Sequence, residues 1–271
     1  MADAEPVLGE PPEALDAWDM SVFEHEGKSR RLFVSGEGRP VILISEIPGM
    51  TPEQIALGDR LIEAGFKVIM PEVFGESGAE MTNAKVVARL SWAGISSDWA
   101  TFSLRTTSPI ASWMRALARD VSEQAGGAGV GAIGMCISGN LPLAMLTEES
   151  VVAPVLSQPS LPFNFSKTRA RDLGISDEDC EAVKKRMASG AKVLAFRFSH
   201  DFVCPGLRFE RMRAEFGDAF TGVELDSSPG NAHGFGRSSH SVLAHEFVDD
   251  DGHPAKEAFN QTVAFLRERL G

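Results

Sequence analysis

The stretch Gly134-Met135-Cys136-Ile137-Ser138-Gly139-Asn140 decides how this chain is read. It closes the apolar run at 130–133 and opens a helical run at 141–146. A strand that turns this abruptly into a helix crowds the side chain at its apex against the backbone. The positions two before and two after the apex must then be small, and here they are Gly134 and Ser138. The residue lifted clear of the sheet is Cys136, so the stretch reads as a nucleophile elbow with sulfur at its tip. The following helix directs its N-terminal amides and dipole at that point, which favours a thiolate and a developing oxyanion. Two other readings share these residues. Ser138 is the alternative nucleophile, although its flanking positions would then be Cys136 and Asn140, a poor fit for the turn. The blandest reading is a buried structural cysteine, because free cysteine is among the most buried residue types.

Outward from the elbow, strands and helices alternate. Strands are expected at 28–34, 40–47, 66–70, 130–133, 152–156, 191–198 and 222–225. Helices are expected at 52–64, 109–124, 141–146, 176–189 and 254–270. The run Val41-Ile42-Leu43-Ile44 is apolar at every position, as a strand covered on both faces must be. Thr51 and Pro52 read as N-cap and first position of a helix that Gly65 stops. The section 75–107 is less regular and reads as an excursion over the site. The alternation argues for an α/β fold with a mostly parallel central sheet and helices on both faces. One domain is expected over 28–271, preceded by a loose arm at 1–27 that starts acidic and Pro-rich, without the apolar segment of a signal peptide. Ligands in such sheets sit at the carboxyl ends of the strands, where Cys136 also lies.

Composition narrows the function. A net charge of −12 argues against nucleic acid and anionic membrane surfaces as partners. No apolar stretch approaches the roughly 20 residues that span a bilayer. The three cysteines, Cys136, Cys180 and Cys204, lack metal-type spacing and suit a reducing cytoplasm. No metal or cofactor is expected. His240 and His245 lie five apart in a Ser-rich, acidic stretch that reads, with His253, as solvated.

A nucleophile at a strand end needs a base, and the base needs an orienting acid. Asp201 follows the strand at 191–198, and His233 follows the last strand in the Gly-rich segment Asn231-Ala232-His233-Gly234-Phe235-Gly236. The order nucleophile, acid, histidine is that of the α/β-hydrolase arrangement. His200 is a rival base, but it directly precedes the acid and would point away when Asp201 points in.

These segments together resemble the dienelactone hydrolase family. Ile44-Ser45-Glu46-Ile47-Pro48-Gly49 is similar to the family's Glu-Ile-x-Gly segment, and the elbow to its Gly-x-Cys-x-Gly-Gly, with Ser138 in place of a glycine. Asp201 with Val203 and Pro205 resembles the acid loop, and His233-Gly234-Phe235-Gly236-Arg237 the family's His-x-Phe-x-Arg. The resemblance implies an α/β-hydrolase fold and cofactor-free cleavage of an ester or lactone of a small molecule by Cys136, His233 and Asp201. It implies that Glu46 interacts with the resting thiol, and that the amides of Ile47 and Ile137 receive the oxyanion. Arg237 becomes the candidate anchor for an anionic substrate group, the alternative being a surface ion pair with an acid such as Asp249. The family's other anion-binding arginine, which precedes a tryptophan, has no clear counterpart; Lys85 or Arg89 before Trp92 are the candidates. Two readings of other classes stand beside this one: a ligand-binding relative without turnover, and a thiol redox sensor using Cys136.

Overall fold

Val41, Ile42, Leu43 and Ile44 show how the apolar run becomes the centre of the molecule. All four are fully buried, but they serve two different cores. Ile42 and Ile44 pack with Trp113, Leu117, Leu143 and Leu146 on one side of the sheet. Val41 and Leu43 pack with Leu57, Leu61, Leu266 and Leu270 on the other. Successive side chains of a strand point to opposite faces, so a strand roofed on both sides must be apolar at every position. Each such side chain contributes about 1.5–3 kcal/mol relative to leaving it in water.

The structure, a computed structural model, describes residues 13–74, 77, 98–99, 103–162 and 164–271. Eight strands form one sheet: β1 (Asp19–His25), β2 (Lys28–Ser35), β3 (Arg39–Ile44), β4 (Phe66–Pro71), β5 (Val130–Met135), β6 (Val151–Ser157), β7 (Val193–Phe198) and β8 (Phe220–Leu225). Their order is β1-β2-β4-β3-β5-β6-β7-β8. Every neighbouring pair from β4 to β8 is parallel, while β1–β2 and β2–β4 are antiparallel. The described helices are α1 (Pro52–Glu63), α2 (Ile110–Gln124), α3 (Leu141–Met145), α4 (Lys167–Ala170), α5 (Asp177–Ala188), α6 (Gly206–Phe216) and α7 (Pro254–Leu270). α1 and α7 cover one face of the sheet, and α2, α3, α5 and α6 the other. This is the α/β-hydrolase fold expected from the sequence.

Local signals account for several helix ends. The Thr51 hydroxyl accepts from the Gln54 amide at 3.4 Å, with Pro52 at the first position of α1. Ser176 caps α5 in the same way, accepting from Asp179 N at 3.0 Å. The segment 1–27 departs from the expected loose arm. Its first twelve residues lie outside the description, but Leu15 and Trp18 are buried, and β1 forms a hairpin with β2. Glu26 and Gly27, at φ 51° and 75°, make the two-residue turn, the left-handed pair that such hairpins need. Glu-Gly is a weak turn signal, and a half-solvated edge strand shows little hydrophobic contrast, so the sequence pattern hides this element. Among the described residues no helix is long and apolar enough to cross a membrane.

Candidate active site

The adjacent strands β3, β5, β6 and β7 end side by side, and the residues just past those ends form the site. At β5 the turn is tight enough to hold Cys136 at φ +55°, a left-handed conformation that costs an ordinary residue of the order of 1–3 kcal/mol. A Cβ on Gly134 would lie 2.3 Å from the Ser138 carbonyl oxygen and 2.6 Å from Pro142 Cδ. One on Gly139 would lie 2.6 Å from Pro159 Cα. Ser138 is fully buried, and its Oγ accepts from Met135 N at 3.0 Å and lies 2.8 Å from Met135 O. Its hydroxyl therefore staples the turn, whereas Cys136 remains half-exposed.

The carboxylate past β7 is held from both sides. Asp201 is buried, and its Oδ1 accepts from the amides of Val203 at 2.9 Å and Cys204 at 3.1 Å. Arg197 braces the same loop by donating to Cys204 O at 2.8 Å and Ser199 O at 3.1 Å. The remaining oxygen, Oδ2, lies 2.6 Å from Nδ1 of a histidine, and that histidine is His240. His233 is exposed, its ring 5.4 Å from that of His253 and 6.3 Å from Phe235. The pairing expected between Asp201 and His233 is thus replaced by one with His240. The buried member of the His-x-Phe-x-Arg segment is Phe235, which packs at 4.7 Å on Phe198 at the end of β7. Beyond it the chain dips inward, and Ser239 and residues 241–244 are buried rather than solvated. The apolar triplet Val242-Leu243-Ala244 directly after His240-Ser241 was the signal for that dip.

Among the described residues, His240 Nε2 is buried without a conventional hydrogen bond and faces Cys136. A ring nitrogen of His240, the sulfur of Cys136 and a carboxylate oxygen of Glu46 all lie within 4.8 Å of one another. Burial opposes the charged ring, but the electrostatic and hydrogen-bonding interactions with Cys136 and Asp201 outweigh it and hold His240 well above the ordinary imidazole value.

Glu46 lies past β3 and is buried. Burial raises its carboxyl above the ordinary 4.5, against the lowering by His240, Ser241 and Gln158. Its Oε1 accepts from Ser241 Oγ at 2.5 Å and its Oε2 from Gln158 Nε2 at 3.1 Å. Gln158, past β6 at φ +34°, also accepts from Val242 N at 3.3 Å. Glu46 is therefore tied to the segment that carries His240. Gln158 and Ser241 were not anticipated from sequence, because neither belongs to a local pattern.

Ile47 and Ile137 are buried beside Glu46 and Cys136 in the chain. Arg237 is exposed on the histidine loop, and His200 is exposed, with Nδ1 at 3.0 Å from Ser199 Oγ. Lys85, Arg89 and Trp92 lie outside the described residues. Cys180 and Cys204 are buried, which raises both thiols, that of Cys204 to about 12. Neither is a reactive partner for Cys136. Phe202, next to Asp201 in the chain, and Phe165 are exposed large apolar side chains. Asn164 joins their loops by donating to Val203 O at 2.8 Å.

Solved structures share this architecture at low sequence identity. A protein described as a putative dienelactone hydrolase, from Klebsiella pneumoniae subsp. pneumoniae, is 16% identical, with 93% of this chain and 98% of that one covered and a TM-score of 0.61. A dienelactone hydrolase-like promiscuous phosphotriesterase from metagenomic libraries is 14% identical, with 94% and 98% covered and a TM-score of 0.62. A cold-adapted esterase from an Arctic intertidal metagenomic library is 15% identical, with 93% of each chain covered and a TM-score of 0.58. None of the curated protein sequences matches this chain. Its sequence does match the family profile described as the dienelactone hydrolase family, over residues 34–270. With nearly the whole chain matched and the fold in agreement, the protein belongs to the dienelactone hydrolase family.

Proposed function

We propose that the protein hydrolyses an ester or lactone bond of a small molecule through Cys136, His240 and Asp201, by way of an acyl-enzyme and without a cofactor. One observation carries this reading: Asp201 Oδ2 sits 2.6 Å from His240 Nδ1, which leaves Nε2 for a cysteine held at the tip of a strained elbow. Cys136 Sγ attacks the carbonyl carbon, and His240 takes the thiol proton and returns it to the departing alkoxide. The carbonyl then re-forms as a thioester. Water, deprotonated by His240, attacks the thioester and releases the acid. Asp201 fixes the ring tautomer and stabilises the imidazolium.

The amides of Ile137 and Ile47 are the proposed oxyanion donors. Ile137 N belongs to the first turn after the elbow, where amides have no partner within the helix. Each donor is worth about 3 kcal/mol in the transition state. Glu46 supports the segment that carries His240 through its hydrogen bonds with Ser241 and Gln158. An anionic substrate group would be read by Arg237. Three unpaired cysteines suit a reducing compartment, and we place the protein in the cytoplasm.

The test is hydrolysis of a panel of activated esters, lactones and thioesters by wild type and Cys136→Ala. Turnover of at least one class, lost in the variant at unchanged fold, is expected. Turnover that survives in Cys136→Ala would overturn the assignment.

A further inference from the structure

Among the described residues, Glu46, Cys136 and His240 form the one cluster of at least three potential metal ligands with mutually close donor atoms, all within 4.8 Å. The donors are a sulfur, an imidazole nitrogen and a carboxylate oxygen. That mixture suits zinc, since thiolate and imidazole select against magnesium and calcium, and three protein ligands plus water complete a tetrahedron. Ligand atoms around a tetrahedral zinc ion stand roughly 3.3–3.8 Å apart, as bond lengths of about 2.0–2.3 Å require. The cluster therefore has to close by at most about 1.5 Å, a shift within reach of rotation of the Cys136 side chain.

Two further features are those of a metal site. His240 gives Nδ1 to Asp201 at 2.6 Å, the carboxylate–histidine arrangement that orients a metal-bound imidazole. Nε2, the nitrogen left over, is buried and faces Cys136, with no conventional hydrogen bond to it among the described residues. Glu46 is likewise fixed from behind by Ser241 and Gln158.

We propose that this cluster is also a zinc site, in which Zn2+ bound by Cys136 Sγ, His240 Nε2 and a Glu46 oxygen reversibly blocks the nucleophile. Binding exchanges protons for the metal: Cys136–SH gives up its thiol proton to form Cys136–S–Zn+, and His240 gives up the Nε2 proton wherever the ring is charged, with no change of oxidation state. The inference concerns the side chains assigned above to hydrolysis, and it rests on that reading only in calling the bound form inactive.

The test uses Zn2+ alone, followed by calorimetry and thermal shift, and Co2+ as a spectroscopic substitute. Wild type is expected to bind one equivalent, gain thermal stability as ligand linkage demands, and show a sulfur-to-cobalt charge-transfer band. The band should vanish in Cys136→Ser. Binding should weaken at least ten-fold in His240→Ala and Glu46→Gln, and by about 10–100-fold in Asp201→Asn, which removes only the outer support. The pair His233 and His253 is the natural decoy, and His253→Ala should bind as wild type does. Equal Zn2+ affinity in wild type and Cys136→Ser, or loss of binding in His253→Ala, would overturn the proposal. A wild type that hydrolyses esters but binds no Zn2+ sinks this inference alone. A Co2+ band in a protein inert toward every ester sinks the hydrolase reading and leaves the metal site standing.

Discussion

The elbow at 134–140 and the histidine loop at 231–245 both deliver a reacting side chain to the same point, and they do so by opposite means. The elbow is built mainly from its own neighbours: Gly134 makes room for Ser138, whose hydroxyl bonds Met135 three residues back, and the strands on either side add the Pro159 and Ile44 contacts. The histidine loop is held from afar. His240 reaches Asp201 across 39 residues, Val242 reaches Gln158 across 84, and Ser241 reaches Glu46 across 195. From α1, Arg60 donates to Leu243 O at 3.0 Å and lies 3.8 Å over the Phe247 ring. A segment set by short-range sterics is written in its own residues. A segment set by distant partners is written elsewhere in the chain.

The largest effect that can break this comparison is on turnover. His240→Ala is expected to lower kcat/KM by about 10²–10⁴, the worth of a positioned general base. His233→Ala should change it less than about three-fold, as for a surface residue with no role in the reaction. Steady-state kinetics on an activated ester checks both. A dead His233 variant beside an active His240 variant would return the base to the His-x-Phe-x-Arg motif and displace the geometric assignment.

The same contrast marks where sequence reading succeeded. The α/β class, the doubly covered β3, the Thr51 cap and the tight turn that carries Cys136 were legible, because each depends on residues within a few positions of one another. Asp201 was legible as a strand-end carboxylate. His240 was not, because a Gly-Phe motif next to His233 drew attention to the histidine that resembles the family pattern. The structure uses Phe235 of that motif as the buried anchor, and the chain then continues seven residues beyond His233 before it turns in. β1 was missed for a related reason: its pairing with β2 is specific, but only Phe23 of its side chains packs on the core, 5.2 Å from Trp113.

A second test compares the two regions in stability. Gly134→Ala places a methyl 2.3 Å from backbone, whereas Gly234 has nothing within 4 Å but sits at φ +73°. The first should cost several kcal/mol, as severe overpacking does. The second should cost about 1 kcal/mol, the penalty of an alanine in the left-handed region. Urea unfolding at constant m reads both, and equal costs would remove the distinction between a sterically fixed elbow and a tethered loop.

A third prediction concerns Arg237, the exposed end of the histidine loop. Arg237→Met should raise KM about ten-fold, or 1.4 kcal/mol, for a lactone carrying a carboxylate, and leave a neutral ester of the same size nearly unchanged. Equal changes for both substrates would make Arg237 a support of the loop rather than a reader of the anion.

The smallest expected effect is a slope rather than a loss, and it probes the tie between the loop and β3. Burial raises the Glu46 carboxyl above the 4.5 of an ordinary glutamate, so between that value and its folded-state value the native protein binds more protons than the unfolded chain. Stability contributed by this group is therefore full below pH 4.5 and declines as pH rises through that window. Glu46→Gln deletes the titration while keeping both hydrogen bonds satisfiable: the amide oxygen accepts from Gln158, and the amide nitrogen donates to Ser241 Oγ, which can accept. Every other carboxylate is common to wild type and variant, so it cancels in the difference. The stability of Glu46→Gln relative to wild type should thus rise with pH from 4.5 upward, read as the gap between two urea-unfolding series. Parallel curves would mean that Ser241, Gln158 and His240 hold Glu46 charged at no cost. The tether would then be an ordinary salt-linked contact instead of a buried carboxyl kept in place by the fold around it.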